Sequence, residues 1–166
     1  LPMQVTVLSL KKNTRSDEPQ RLSGIGDQTR LCQATRKDAP FILLLEEDGM
    51  RSYAEALWGK WIPSSNPESL LLEGHEIIEW SGKLVGCVAC EWQADHLRIK
   101  KLYVSPQYRR RGIGACVLGI KIRQAACRGL TLRLTVLSPN NDARRFYERE
   151  GMSVVDRTEE RITLKF

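Results

Sequence analysis

A chain of 166 residues suits one domain and is long enough to bury a core. Apolar residues at 42% and charged residues at 28% exclude a disordered or collagen-like chain, and no run approaches the ~18 apolar residues of a membrane span. The net charge is +6, from 26 Lys and Arg against 20 Asp and Glu.

That excess is concentrated in one segment. Between His96 and Asn141 there are ten basic residues and no acidic one, which leaves 16 basic against 20 acidic residues elsewhere. Such a segment suits a polyanion: nucleic acid, an acidic membrane or a phosphorylated small molecule. The first ten residues carry polar breaks and are followed by Lys11 and Lys12, the wrong order for a secretory signal. Five cysteines, an odd number, then predict reduced thiols and a cytoplasmic protein. Cys87 and Cys90 form a C-x-x-C inside an apolar strand-like run, where positions three apart face opposite sides, so no metal site is expected.

Residues 1–28 are polar, hold no sustained period, and are predicted as a mobile extension ahead of a single domain over 29–166. A strand is predicted over 30–34. Asp38 fits a helix N-cap and Pro40 the first turn. Phe41, Leu44, Leu45, Met50, Tyr53, Ala54 and Leu57 then supply an apolar face. Gly49 is expected to divide this stretch into two short helices. A Pro-Ser-Ser-Asn-Pro loop over 63–67 follows, then strands over 77–80 and 84–92 joined at Ser81-Gly82-Lys83.

The third run, 96–104, alternates in two phases: Leu97 and Ile99 share one parity, Leu102 and Val104 the other. A slip at Lys100-Lys101 predicts a β-bulge that splays this strand from its neighbour. Next come a helix over 112–128, a strand over 130–136, a helix over 142–150 and a closing hairpin over 153–166. The order β-α-α-β-β-β-α-β-α-β-β predicts an α/β sandwich with a mixed sheet.

The chemistry lies in the stretch from Val104 to Ala115. A strand delivers Arg109, Arg110, Arg111, Gly112 and Gly114 straight into a helix. Glycines admit close backbone approach and a helix start offers unpaired N–H groups, which together make a phosphate cradle. A dinucleotide fingerprint would need glycine at Val117, and a Walker loop would need lysine at Ile120.

Arg109-x-x-Gly112-x-Gly114 resembles the Q/R-x-x-G-x-G/A signature of the GNAT (Gcn5-related) N-acetyltransferases. A second block, Asn140-x-x-Ala143-x-x-Phe146-Tyr147-x-x-x-Gly151, is similar to the family's later helix. The resemblance spans about residues 30–166. It implies a mixed, mostly antiparallel sheet with helices on both faces and a splayed central strand pair. It further implies acetyl-CoA as cosubstrate, no metal, and direct acetyl transfer to a primary amine of a small molecule, peptide or protein.

The implied cofactor residues are Leu102, Tyr103, Val104, Arg109, Arg110, Arg111, Gly112, Ile113, Gly114, Ala115, Asn140, Ala143, Phe146 and Tyr147. Tyr147 would protonate the departing thiolate. Family members often carry a carboxylate shortly before the Leu-Tyr-Val stretch, as proton acceptor; here Lys100 and Lys101 stand there. Glu91, at the end of the preceding strand, and Glu79 are the nearest candidates, with Glu91 the candidate base and a water chain the alternative. The segment over 38–61, acidic with Tyr53, Trp58 and Trp61, would wall the acceptor. Nucleic acid and membrane are not expected as partners, whereas a homodimer is common in the family. A non-catalytic acyl-CoA-binding module and a basic nucleic-acid-binding domain remain the alternatives.

Overall fold

The computed structural model describes residue 24 and residues 28–166. The extension predicted for 1–28 therefore lies, but for residues 24 and 28, outside the described residues. Ten elements follow in order: β1 (Thr29–Gln33), α1 (Ala39–Trp58), β2 (His75–Trp80), β3 (Lys83–Trp92), β4 (His96–Val104), α2 (Ile113–Cys127), β5 (Thr131–Leu137), α3 (Asn141–Arg149), β6 (Ser153–Arg157) and β7 (Arg161–Lys165). The strands form one seven-stranded sheet in the order β1-β2-β3-β4-β5-β7-β6. Among the described residues only β4 and β5 run parallel, joined by the α2 crossover. No helix among the described residues is long and apolar enough to cross a membrane.

Strand alternation sorts the two layers. Ile77, Cys87 and Tyr103 sit in one cross-strand row and pack with Ala39, Ile42 and Leu45 of α1. Ile78, Val88, Leu102 and Val104 turn the other way, onto Ile113 and Val117 of α2. Cys87 and Cys90 fall on these opposite faces, and burial pushes their thiols up to about 12 and about 11. Thiols held in that state are poor nucleophiles.

The two helices expected across Gly49 are one continuous helix of 20 residues. A mid-helix glycine costs about 1 kcal/mol relative to alanine but does not by itself end a helix. Here the burial of both halves against the sheet outweighs it, and Arg51 spans the site by bonding Glu47 at 2.7 Å and Glu55 at 2.9 Å. The glycine is needed for space: a Cβ at position 49 would lie 2.8 Å from Cδ1 of Tyr103. Gly49→Leu is therefore expected to cost about 1–3 kcal/mol by overpacking, read as a lower denaturation midpoint at unchanged slope.

The bulge predicted at Lys100-Lys101 is present. Ala89 pairs with Lys101 and Cys90 with Ile99, which leaves Lys100 as the extra residue. It restores phase, so that Leu97, Ile99 and Leu102 all pack into the cluster that contains Leu118 of α2. Pairing of β4 with β5 ends at Ile99 and Leu134. Beyond that point β4 bonds only to β3, while β5 continues on β7 from Thr135 to Leu137. The sheet therefore opens between the C-terminal ends of its two central strands.

Candidate active site

The loop leaving β4 makes a short 3-10 turn over Pro106–Tyr108 and enters α2. Arg110 adopts φ 59°, and Gly112, at the N-cap, adopts φ 81°, a conformation in which a side chain is strained. The first bond inside the helix runs from Cys116 N–H to Gly112 O. The N–H groups of Ile113, Gly114 and Ala115 are thus left without helical acceptors at the positive end of the dipole. A Cβ on Gly114 would stand 3.5 Å from the Phe146 ring, so α3 packs directly over this start.

The three loop arginines do different things. Arg109 donates from Nε to Val104 O at 2.8 Å and pairs with Asp48 of α1, which ties the loop back to the helix across the sheet. Arg111 lies 5.5 Å over the Trp80 ring and 5.8 Å over Tyr108. Arg110 is exposed and has neither contact, so it is the arginine with a guanidinium to offer an anion.

α3 closes the other side of the opening. Asn140 is its N-cap, accepting the Ala143 N–H at 3.0 Å through Oδ1. Tyr147 is 8% exposed, edge-on to Phe146 at 5.0 Å between centroids. Burial pushes its phenol up from the ordinary value, and Tyr147 is itself among the groups that raise Tyr103. Both phenols are buried and uncharged, Tyr103 against α1 and Tyr147 in the cluster that contains Leu118 of α2. Of the residues named from the sequence, Leu102, Ala143, Phe146 and Tyr147 share one cluster and Phe146 stands beside Gly114, while Tyr103 packs on the α1 face.

The structure does not bring Glu91 to the splay. Glu91 is exposed, opposite Arg98 and 3.9 Å from its guanidinium, on the closed side of the bulge. Glu79 pairs across from Arg30 and Leu84, further off still. The carboxylate near the splay comes from α1 instead. Lys101, the first residue past the bulge, donates to Glu46 Oε2 at 2.9 Å, and Ser64 Oγ donates to the same oxygen at 2.9 Å. No local pattern announces a pair 55 residues apart. Only the parity shared by Lys101 and Tyr103, once the bulge is allowed, places that lysine on the α1 face.

His75 belongs to the same patch. It shares a cross-strand row with Ala89 and Lys101, it is buried, and its Nε2 has no partner among the described residues. Burial and then the Lys101 charge hold it below its ordinary value, so it stays neutral. The far wall is the β6–β7 turn. Ser138, just past β5, donates to Glu160 O at 2.8 Å, and Trp58 at the end of α1 donates from Nε1 to Glu160 Oε1 at 3.0 Å.

Comparison with known proteins gives a consistent placement. The model of the Acetyltransferase (GNAT) family matches residues 18–152. An uncharacterized N-acetyltransferase of Methanocaldococcus jannaschii is 34% identical over 87 residues, which is 48% of this chain and 38% of that protein. The chain thus spans about two fifths of the length of this relative. Among solved structures, the PaiA N-acetyltransferase of Thermoplasma acidophilum, in complex with coenzyme A, superposes with TM-score 0.63 at 16% identity, over 82% of this chain and 97% of its own. Naa50 of Arabidopsis thaliana, in complex with a bisubstrate analogue, gives 0.59 at 19% identity, over 84% and 98%. At such identities the likeness is one of fold.

Proposed function

Because the chain belongs to the acetyltransferase (GNAT) family, we propose that it moves the acetyl group of acetyl-CoA directly onto a primary amine. The observation that carries this reading is a coincidence of place. The splay between β4 and β5, the open N–H groups at the start of α2, and the Tyr147 phenol all lie at one end of the sheet.

The residues suit coenzyme A on their own geometry. Unpartnered N–H groups, a Cβ-free Gly112 and an exposed Arg110 form an anion cradle that would hold the pyrophosphate. The β4 edge from Lys101 to Val104, unpaired on the β5 side, offers backbone groups to the pantetheine arm and the acetyl carbonyl. When bound, acetyl-CoA supplies an activated thioester. Tyr147 stays protonated, and a phenol raised above its usual ~10 cannot fully surrender its proton to a thiolate of pKa near ~8.5. Its role is a hydrogen bond to the departing sulfur, a refinement of the acid role implied by the sequence. The buried thiols of Cys87 and Cys90 favour direct transfer over an acyl-cysteine route. Five free cysteines favour a reducing, cytoplasmic setting.

Calorimetry and thermal shift with acetyl-CoA test the cofactor half of this reading. Saturating cofactor at 100 times its Kd should stabilise the domain by about 2.7 kcal/mol. No stabilisation at millimolar acetyl-CoA would overturn it.

A further inference from the structure

We propose that Asp48 and Trp80 are positioning residues of the cofactor cradle. From opposite faces of the sheet they hold Arg109 and Arg111, and so fix the left-handed Arg110 between them as the cation of the anion site. The inference rests on the cofactor half of the transferase reading above and names residues that act from outside the loop.

Arg110 needs such a hold. Its φ of 59° is a conformation that side chains other than glycine adopt at a cost. A residue strained in this way keeps its conformation only where the surrounding structure fixes it. The loop's own backbone bonds stop one residue short: Tyr108 N–H donates to Ser105 O at 2.9 Å and Arg109 N–H to Pro106 O at 3.2 Å. Among the described residues no backbone bond is donated by Arg110 or Arg111, and the next is that of Cys116 to Gly112.

The side chains on either side supply the hold. Arg109 donates from Nε to Val104 O at 2.8 Å, and its terminal nitrogen pairs with Asp48. Val104 O lies on the open edge of β4. Ser105 N–H bonds to Val85 O of β3, so by strand alternation the backbone groups of Val104 turn away from β3. Arg109 thus bridges α1 to the open end of β4, with Asp48 as the anion at the far end of the bridge. The helix is itself set on that strand by its neighbours, Glu46 on Lys101 and Gly49 against Tyr103.

Arg111 is held from the other face. Its guanidinium stands 5.5 Å from the Trp80 ring centre and 5.8 Å from that of Tyr108, and the two rings meet edge-on at 6.1 Å. Both rings pack on the cluster of Ile113 and Val117, at the start of α2. Trp80 Nε1 has no partner among the described residues, so the ring is what this residue offers the loop. The guanidinium groups at 109 and 111 are thus committed in opposite directions. The one between them is left exposed, two residues before the N-cap of α2.

Charge alone makes the opposite prediction for Asp48. Removing a carboxylate beside an anion site should tighten a phosphate ligand, whereas removing a positioning group should loosen it.

The test is the Kd of acetyl-CoA by calorimetry, with circular dichroism to confirm that each variant is folded. Asp48→Asn and Trp80→Leu should each weaken binding at least fivefold, and Arg110→Gly at least tenfold. Glu47→Gln removes the same charge one residue away on α1, at an exposed site paired with Arg51, and should stay within twofold of the parent. Because Asp48 acts through Arg110, adding Asp48→Asn to Arg110→Gly should change the affinity by less than twofold. A purely structural role would not make the effect of Asp48 depend on Arg110. A folded Asp48→Asn or Trp80→Leu protein that binds as tightly as the parent, or tighter, would overturn the role of that residue. A fivefold loss that persists in the Arg110→Gly background would overturn the role of Asp48 as well. Either result leaves the transferase reading standing. A parent protein that binds no acetyl-CoA at millimolar concentration would overturn both.

Discussion

Gly112→Asp is expected to abolish acetyl-CoA binding, with a loss of at least a hundredfold in affinity. The residue sits at φ 81° as the N-cap of α2, where the N–H groups of the cradle converge. An aspartate there adds a side chain to the space an anion would fill and sets a carboxylate against phosphate. A hundredfold loss corresponds to about 2.8 kcal/mol. The left-handed conformation itself costs a non-glycine residue roughly 1–2 kcal/mol, which a domain of ordinary stability survives. Gly112→Ala carries the strain without the charge and should lose less than tenfold. Calorimetry beside circular dichroism checks both, and a Gly112→Asp protein that is folded and binds within threefold of the parent would show that the cradle is elsewhere.

Tyr147→Phe is expected to lower the rate of acetyl transfer by about 10- to 100-fold, with acetyl-CoA affinity within threefold. The hydroxyl makes no hydrogen bond among the described residues, while the ring is held by Phe146 and the core around it. Removing one oxygen should therefore change stability by no more than about 0.5 kcal/mol. A hydrogen bond to a developing thiolate is worth about 1.5–3 kcal/mol, which sets the size of the effect. Single-turnover thiol release reads the chemical step, and an unchanged rate would remove Tyr147 from the reaction.

The bulge and the loop that enters α2 were legible in the sequence because their signals are local. The glycines and arginines of the loop lie within six residues of one another, and the parity slip at Lys100 is visible along a single strand. The contacts that α1 makes with β4 and the loop were not, because they are made across the fold. Glu46 meets Lys101 and Asp48 meets Arg109 over separations of 55 and 61 residues. Glu91, the candidate base read from the sequence, falls on the closed side of the bulge, whereas α1 carries Glu46 towards the splay. The helix break expected at Gly49 failed for a similar reason: the glycine answers to Tyr103 on another element.

The concentrated positive charge also changes meaning in the fold. Arg98, Lys101, Arg109, Lys121 and Arg133 pair with Glu91, Glu46, Asp48, Glu76 and Asp95, all acids from outside the basic segment. Arg111 and Arg128 lie over aromatic rings. Much of the excess thus pins the segment to the rest of the domain, and Arg110 is the loop cation left to meet a phosphate.

Acetyl transfer at the splayed end of β4 and β5 is tested most directly by mass analysis of the products after incubation with acetyl-CoA and a panel of primary amines. An N-acetylated amine and free CoA thiol are expected in equal amounts, dependent on intact Gly112 and Tyr147. Tight acetyl-CoA binding with no acetylated product from any amine would contradict it, and would make the chain an acyl-CoA-binding module.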